Sequence, residues 1–293
     1  MLRRFAEDRD AGVPDGPPTV PMTESGAIAT APPAAQAAVA RADALRERLR
    51  AAAVHLAISA AIALAACAAV FGLWYPQPLD RVLGVGTIVL IMLGIDVVLG
   101  PLFTLIVFDR RKKRLAWDLA TIGALQLVAL LYGVYTIERG RPAFVVFVKD
   151  RFEVVSPADL RPDDRAAARA NPFAVPDPLR PRWVAARMPD SAQERDRIMF
   201  EAVGTGRDVQ HHPALYVDYS GEARAVLERA LPISRLRAFN GSRLSELDAA
   251  IAATGRDAAS LRYLPLRGAA TDGAVLIDAA DARVIAVTAL APW

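Results

Sequence analysis

Cysteine is nearly absent from this chain, which carries Cys67 as its single thiol in 293 residues. One thiol cannot form an intramolecular disulfide, so the sequence excludes a disulfide framework and a cysteine metal cluster. Cys67 lies inside an apolar run, where we expect a thiol to pack rather than to react. Histidine is also scarce, with three residues in the whole chain.

The motifs of common enzyme classes are missing as well. The sequence contains no Walker loop, no Rossmann glycine pattern, no nucleophile elbow and no zinc-protease motif. Gly204 and Gly206 fit a turn rather than a phosphate-binding loop. His211 and His212 are adjacent, and neighbouring side chains diverge on most backbones, so we expect no metal site there. We therefore expect neither enzymatic activity nor a cofactor.

Apolar sequence is what the chain has in excess. Hydrophobic residues make up 54% of it, and they concentrate in the runs 52–75, 82–108 and 115–137. Each run reaches the roughly 20 residues that a helix needs to cross a hydrocarbon core. The remainder, 138–293, has ordinary composition and enough length for one domain. The sequence predicts a membrane protein with three transmembrane α-helices followed by an α+β domain.

The basic residues predict how these helices are oriented. Four arginines between positions 41 and 50 precede the first run, and five basic residues fill the segment 109–114 between the second and third runs. The loop 76–81 contains a single basic residue. By the positive-inside rule, the N-terminus is cytoplasmic and 138–293 is a periplasmic domain of a bacterial inner-membrane protein. Because topology explains the basic loop, we expect the bilayer and no nucleic acid as its partner.

The N-terminal region divides into a tail and a helical approach to the membrane. Residues 1–40 are rich in alanine and proline without apolar periodicity, which predicts a disordered cytoplasmic tail. The transmembrane region is then 41–137, and its first run is too long and too far from the N-terminus for a cleavable signal. The sequence leaves both Met1 and Met22 open as the start.

Beyond residue 141 the apolar pattern changes from helical to strand-like spacing. Ser191 and Glu194 form a capping box that predicts a helix ending near Gly204. Residues 157–188, rich in proline, arginine and aspartate, predict an irregular connection. Strands are predicted at 143–148, 152–155, 214–219, 262–266, 274–277 and 284–289, and further helices at 221–230 and 243–254.

Asp96 is the one charged residue inside the second run. A carboxylate at mid-membrane costs roughly 2.5–3.5 kcal/mol on insertion scales, so it needs a partner. At about 1.5 Å per residue, Asp96 lies roughly 20 Å and Gln126 roughly 18 Å from the inner boundary, and the two side chains could bond across the helices. Two interpretations stay open: Asp96 is a neutral residue that fixes helix register, or it contacts a polar group on a partner helix.

Asp118 and His55 are predicted to be structural polar residues near the inner boundary. Asp118 lies about 6 Å inside it and His55 at a similar depth, so Asp118 could pair with His55 or with Arg114. Asp96 and Asp118 differ in depth by roughly 13 Å. That separation excludes the shared proton on which an intramembrane aspartyl protease depends.

Two further features of the spans are a stripe of small residues and a glycine-proline pair. The first span carries a stripe with four-residue spacing at Ala57, Ala61, Ala65 and Ala69. Such a stripe lets another helix approach closely, either one of this chain's own spans or a foreign helix. In the second span, Gly100-Pro101 predicts a kink, because proline removes one backbone hydrogen bond.

Taken together, the spans carry a recognisable set of motifs. In chain order these are His55, Trp74-Tyr75-Pro76, Asp96-Val97-Val98-Leu99-Gly100-Pro101-Leu102 with Thr104, a basic loop with Lys112-Lys113, Asp118-Leu119, Gln126, Tyr132-Gly133, Arg141-Pro142 and Asp150-Arg151-Phe152. Over about 54–156 the chain resembles the type IV pilin accessory proteins (the TfpX/TfpZ group), which look after pilin subunits in the inner membrane before assembly. Phe103, where leucine is expected, and the long N-terminal tail depart from the pattern.

The resemblance implies a function and a set of contact residues. It implies an inner-membrane chaperone that binds the transmembrane helix and the periplasmic head of a type IV pilin subunit. The residues expected to dock the pilin helix are Asp96, Gln126, Ala57, Ala61, Ala65, Ala69, Gly100 and Pro101. The alternative is a membrane-anchored sensor whose periplasmic domain binds a ligand. The sequence does not identify the cognate pilin or the oligomeric state, and it does not separate stabilisation of pilin from its delivery to the assembly machinery.

Overall fold

A computed structural model of the chain describes residues 33–293. In this range, three helices are long and apolar enough to cross a membrane: Ala34–Trp74, Val85–Val107 and Leu115–Gly140. They overlap the three predicted runs. A domain of helices and one mixed sheet follows them. The predicted fold class, three transmembrane helices followed by an α+β domain, is confirmed.

The first span belongs to a long helix, α1, Pro33–Ala69, which continues as a π-helical turn over Val70–Trp74. Its first eight described residues correct the end of the predicted tail, which was placed at residue 40. Five of the eight residues from 33 to 40 are alanine, the best helix former, so this stretch is helical. The rest of the predicted tail, with both candidate start methionines, lies outside the described residues.

The second span is broken by a change in hydrogen-bond register. A short helix, α2, Leu79–Leu83, precedes it, and the span itself consists of α3, Val85–Gly94, a π-helical turn over Ile95–Leu99, and α4, Gly100–Val107. In a π-helical turn each carbonyl accepts from the residue five positions later. The kink predicted at Gly100-Pro101 stays a prediction. The structure has the π-helical turn directly before this pair, where the proline lacks an N–H.

The third span is a single helix, α5, Leu115–Gly140, and polar contacts tie it and its neighbours together at both ends. At one end, ion pairs join the basic approach of α1 to the loop before α5, Arg48 to Asp109 at 3.9 Å and Glu47 to Arg110 at 3.3 Å. At the other end, the buried Tyr75 hydroxyl donates to the carbonyl of Ile137 at 2.9 Å. The two basic segments thus lie at the same end of the bundle, as the predicted topology requires.

Within the described residues, eight strands form one mixed sheet in the C-terminal domain. They are β1, Phe144–Val148; β2, Arg151–Val155; β3, Arg182–Ala186; β4, Tyr216–Asp218; β5, Leu231–Pro232; β6, Leu261–Arg267; β7, Gly273–Asp278; and β8, Val284–Thr288. The order is β4-β3-β1-β2-β6-β7-β8, with β5 paired to β6. The β1–β3 and β2–β6 pairs are parallel and the others antiparallel.

The helices of this domain are short except for one. They are α6, Pro162–Ala167; α7, Ala192–Thr205; α8, Ala223–Arg229; α9, Ile233–Phe239; and α10, Leu244–Ala253. As the capping box predicts, the Ser191 side chain accepts a hydrogen bond from the Glu194 N–H at the start of α7.

The irregular connection predicted over 157–188 is partly wrong. It contains α6 and the strand β3, which lies beside the edge strand β4 and pairs in parallel with β1. The five residues of β3 follow Pro181 and have no alternating pattern, so local sequence does not reveal the strand. Trp183 lies opposite Val145, which shows that long-range pairing decides the conformation here. The short elements β5 and α9 were also not predicted.

The segment between the first two spans contributes to the core of the C-terminal domain. Val82 of α2 is fully buried in the same apolar cluster as the sheet residues Leu264 and Val275. Its carbonyl accepts hydrogen bonds from the N–H groups of Ala270 at 3.0 Å and Thr271 at 3.2 Å. α2 therefore fastens the transmembrane helices to the β6–β7 hairpin. The predicted second run begins at residue 82, and this start is wrong, because the span begins at Val85 and Val82 lies in the core of the C-terminal domain.

Candidate functional site

Five polar side chains face one another between the transmembrane helices, and we call them the intramembrane polar cluster. They are His55 and Ser59 on α1, Asp96 in the π-helical turn, Thr104 on α4 and Gln126 on α5. Ser59, Asp96 and Thr104 are buried, and Asp96 is 8% exposed. Polar side chains at this depth are costly unless they are satisfied, so their pairing indicates what the cluster does.

Gln126 and Asp96 are joined by a hydrogen bond, as the depth comparison predicts, but through an unexpected atom. The Gln126 Nε2 donates to the backbone carbonyl of Asp96 at 2.9 Å, not to its carboxyl group. In the π-helical register this carbonyl would accept from the N–H of residue 101, and Pro101 has none. The glutamine amide therefore satisfies the carbonyl that the proline leaves free.

Gly100 provides the space for that amide. A Cβ atom at this position would lie 2.2 Å from the Gln126 Nε2 and 2.6 Å from its Oε1. Any side chain here would displace the glutamine. Gly100 and Pro101, both predicted as contact residues for a partner, are buried and together position Gln126 against the second span.

Two acceptor oxygens of the cluster are left without a donor among residues 33–293. They are the Asp96 Oδ1 and the Gln126 Oε1, and both atoms are buried. The residues Asp96 and Gln126 line a cavity of about 110 Å³ between α1, α3 and α5, and its lining also includes Ser59, Ile62 and Leu127. Ile62 and Leu127 are exposed on the outer surface of the helices, so the cavity reaches the seam between α1 and α5. The arrangement suits a hydrogen-bond donor that enters from that seam.

The two pairings proposed for Asp118 are wrong. The His55 Nδ1 lies 2.6 Å from the Thr104 Oγ1, so His55 pairs with the second span. Asp118 lies 3.9 Å from the Lys112 Nζ instead. The reason is that α5 begins at Leu115, which puts Asp118 in its first turn, within reach of the preceding loop.

The alanine stripe lies on the other side of α1 from the polar cluster. Ala57, Ala61 and Ala65 are exposed and Ala69 is partly buried, whereas Ser59 and Ala63 face the other spans. At about 100° per residue, the stripe points roughly opposite to the buried face. The interpretation that the stripe packs on this chain's own spans is therefore wrong. The predicted docking residues form two separate surfaces, one at the cavity and one on the outer face of α1.

Ser59 is a member of the cluster that the sequence analysis missed, and Thr104, which belongs to the motif set, was assigned no role. The signal was available in their spacing, because Asp96, Gly100 and Thr104 recur every four residues, as do His55 and Ser59. Residues four apart lie on one helix face. Each polar or small residue therefore extends the face already marked by Asp96 or by His55.

A second polar cluster lies in the C-terminal domain, around Arg207. This buried guanidinium donates to the carboxylates of Asp164 and Glu201 and to the carbonyls of Asp159 and His211. His212 lies 3.6 Å from Glu201 through its Nε2. Burial lowers the pKa of both histidines below the ordinary value. Among residues 33–293, no three side chains of histidine, cysteine, aspartate or glutamate lie together in a way that could hold a metal ion.

Comparisons with known proteins point to one family. A family model described as fimbrial assembly protein FimB matches residues 43–84 of the chain. The fimbrial assembly protein of serogroup I from Dichelobacter nodosus is 32% identical over 184 residues, which cover 62% of this chain and 71% of that protein. The serogroup E1 protein of the same organism gives the same values. The protein of serogroups C1 and C2 is 34% identical over 113 residues, 38% of this chain and 86% of the relative. No solved structure matches the chain.

Proposed function

The chain belongs to the FimB family of fimbrial assembly proteins, and from this premise we propose that it is a membrane accessory protein that binds and stabilises type IV pilin subunits before pilus assembly. Its relatives are named fimbrial assembly proteins, which supports a role in pilus biogenesis. The motifs over about 54–156 resemble those of pilin accessory proteins. We propose a binding role rather than an enzymatic one.

The observation that supports pilin binding is the pair of unpartnered acceptor oxygens, Asp96 Oδ1 and Gln126 Oε1, on two residues that line the cavity at the α1–α5 seam. A buried acceptor without a donor costs about 1–3 kcal/mol. A partner helix that lies in the seam and offers an ammonium, amide, hydroxyl or protonated carboxyl group recovers that free energy. A pilin subunit, which rests in the membrane by its apolar N-terminal helix before assembly, brings such a helix to the site.

The alanine stripe is the alternative contact for that helix. Ala57 and Ala61 point away from the cavity. Ala65 and Ala69 lie three and seven residues after Ile62, which lines the cavity, and so share its side of α1. We assign the pilin helix to the cavity, since the unpartnered oxygens are there. The stripe, at Ala57, Ala61 and Ala65, would bring a helix close without a polar contact.

The proposal includes a topology and a role for the outer domain. Ion pairs join the two basic segments, which therefore lie at one end of the bundle. The positive-inside rule supports a cytoplasmic location for that end in the inner membrane. The domain 138–293 would then lie in the periplasm, where the pilin head is. Because Val82 is buried in its core, this domain is held close to the outer ends of the helices.

The test is capture of the full-length tagged protein from cells that express a type IV pilin, after cross-linking in intact cells and detergent extraction. Pilin should be the dominant protein recovered with the wild type. Asp96→Leu should reduce the recovered pilin several-fold while leaving the level of this protein unchanged. Asp118→Leu is the matched control, because it also removes a carboxylate from the spans but lies at the loop, beside Lys112; it should recover pilin normally.

Three other outcomes have distinct meanings. Loss of the protein itself in Asp96→Leu would support the purely structural interpretation of Asp96. Reduced capture by Ala61→Leu, with normal capture by Asp96→Leu, would move the dock to the alanine stripe. If the wild type captured no pilin from cells that express one, the proposal would be overturned, and the alternative of a membrane-anchored sensor would be favoured.

A further inference from the structure

A cleft of about 780 Å³ lies at the basic end of the transmembrane bundle, and we call it the boundary cleft. Its walls come from the part of α1 that follows residue 45, from the end of α4 and from the loop and first turns of α5. The side chains that matter for its chemistry are Arg50, Val54, Ile58, Phe108, Arg110 and Leu119. It is distinct from the cavity beside Asp96: His55 lines both, but neither Asp96 nor Gln126 lines the cleft.

Along α1 the cleft changes from cationic to apolar. Arg46, Arg50, Val54 and Ile58 recur every four residues and line the same wall. Each four-residue step advances about 6 Å along the helix. The wall therefore offers positive charge at the membrane boundary and, one to two turns deeper, the exposed aliphatic side chains of Val54 and Ile58.

The cleft has one positive charge that no described residue balances, which is that of Arg50. The one glutamate of its lining, Glu47, already pairs with Arg110 at 3.3 Å. The nearby Asp109 is held by Arg48 at 3.9 Å. Arg50 is exposed and has no ion pair with any residue of the described range 33–293. A ligand at this position needs negative charge.

The opposite wall and the deep end of the cleft need no polar ligand. Phe108 and Leu119 supply apolar surface across from α1. At the deep end, the polar atoms of His55 and Thr104 are 2.6 Å apart and satisfy each other. An occupant therefore combines an anionic head with an apolar tail, and the head lies at the level where a bilayer has its phosphate groups.

We propose that the boundary cleft binds one anionic phospholipid. The phosphate lies against Arg50 and Arg110, and one acyl chain follows Val54 and Ile58 towards the membrane centre. Basic pockets between transmembrane helices bind anionic lipid head groups by this combination of charge and apolar surface. The bound lipid would complete the packing between α1 and the α4–α5 loop at the end where the polypeptide alone leaves the cleft.

The test is native mass spectrometry of the purified full-length protein in detergent, titrated in parallel with phosphatidylglycerol and phosphatidylcholine. We expect one phosphatidylglycerol to bind more tightly than any phosphatidylcholine. Arg50→Gln should weaken this first binding step about fivefold, as expected for one arginine at a membrane surface. Arg111→Gln is the matched control, since Arg111 is exposed at the same end but does not line the cleft; it should bind phosphatidylglycerol like the wild type.

A second pair of variants tests the apolar part without altering charge. Val54→Trp should fill the cleft and abolish the tight step, whereas Val98→Trp, at an exposed position outside the cleft, should preserve it. Equal affinity for the two lipids, or equal effects of Arg50→Gln and Arg111→Gln, would overturn the proposal. Displacement of the lipid by millimolar inorganic phosphate would also overturn it, because the site would then recognise a free anion rather than a lipid.

Discussion

The side-chain amide of Gln126 donates a hydrogen bond to the backbone carbonyl of Asp96, 2.9 Å away, across the interface between the second and third spans. Two features of the second span make this bond available. Pro101 removes the N–H that would otherwise serve the carbonyl, and Gly100 leaves room for the amide. The carboxyl group of Asp96 takes no part in it, and this leaves the group free to contact a partner.

Gly100→Ala should destabilise the transmembrane bundle. Its Cβ would lie 2.2 Å from the Gln126 Nε2, so the amide must move and the bond to Asp96 is lost. We expect a loss of about 1–2 kcal/mol, near the upper end for an interhelical hydrogen bond in a membrane protein. The measurement is thermal unfolding of the purified protein in detergent.

Gly94→Ala is the control for this substitution. It lies in the same span, and a Cβ at Gly94 would meet no atom within 4 Å. Alanine is the better helix former, so this variant should be neutral or slightly stabilising. Equal unfolding temperatures for the two variants would show that Gly100 does not position Gln126.

Val82→Ala should weaken the attachment of the transmembrane helices to the C-terminal domain. Val82 is fully buried in the core of that domain, and removing two methyl groups there costs about 2 kcal/mol. We expect a lower unfolding temperature and faster proteolysis within 76–84. Val98→Ala, the same change at an exposed position in the second span, should leave both unchanged; matching effects in the two variants would contradict the role of α2.

Arg207→Met should strongly destabilise the C-terminal domain. The guanidinium is buried and donates to two carboxylates, so its removal leaves Asp164 and Glu201 without their shared partner. Breaking a buried ion pair in this way costs about 3–5 kcal/mol. Chemical denaturation of the full-length protein measures the loss.

Arg224→Met gives the scale for an exposed ion pair. Arg224 bonds to Glu228 on the surface of α8 and is solvent-exposed. Such pairs contribute about 0.3–0.5 kcal/mol. If the two arginine variants unfolded at the same denaturant concentration, the cluster around Arg207 would have no special structural role.

The stability of the protein should fall as the pH drops below about 6.5. Burial lowers the pKa of His211 and His212, so between pH 7 and pH 5 the unfolded chain binds protons before the folded chain does. Glu201 beside His212 opposes the shift and does not reverse it. Each histidine can change the free energy of unfolding by at most about 1.4 kcal/mol per pH unit.

Thermal unfolding from pH 7.5 to pH 5 measures this dependence. The double variant His211→Gln/His212→Gln should flatten this dependence. Both proteins keep the third histidine, His55. The carboxyl groups of Asp208 and Asp278, whose pKa values are lowered below the ordinary value, lose their contribution only at more acidic pH. An identical pH profile for the double variant would contradict the assignment to these histidines.

The sequence predicts the parts of this protein that depend on local pattern. Apolar runs of membrane length and the capping box at Ser191 each have a signal within a few residues, and the three candidate spans and the helix α7 are found there. The depth comparison found the partners Asp96 and Gln126, because helix rise is constant along a span.

What the sequence did not predict depends on contacts between distant segments. The strand β3 is extended because it pairs with β1, and Val82 is buried because the β6–β7 hairpin packs on it. The direction in which the alanine stripe faces was also open, since small residues fit both a helix interface and a lipid-facing surface. Helix geometry alone relates the stripe to Ser59 and Ala63, and only the packed bundle shows which face is buried.

The most direct test of the central claim is photo-cross-linking from the rim of the cavity. A photoreactive amino acid at Ile62, in full-length protein in cells that express a type IV pilin, should give a covalent adduct with pilin. The same amino acid at Leu90, which is exposed on α3 and does not line this cavity, should give none. Absence of a pilin adduct at Ile62, or equal yields at the two positions, would contradict pilin binding at the α1–α5 seam.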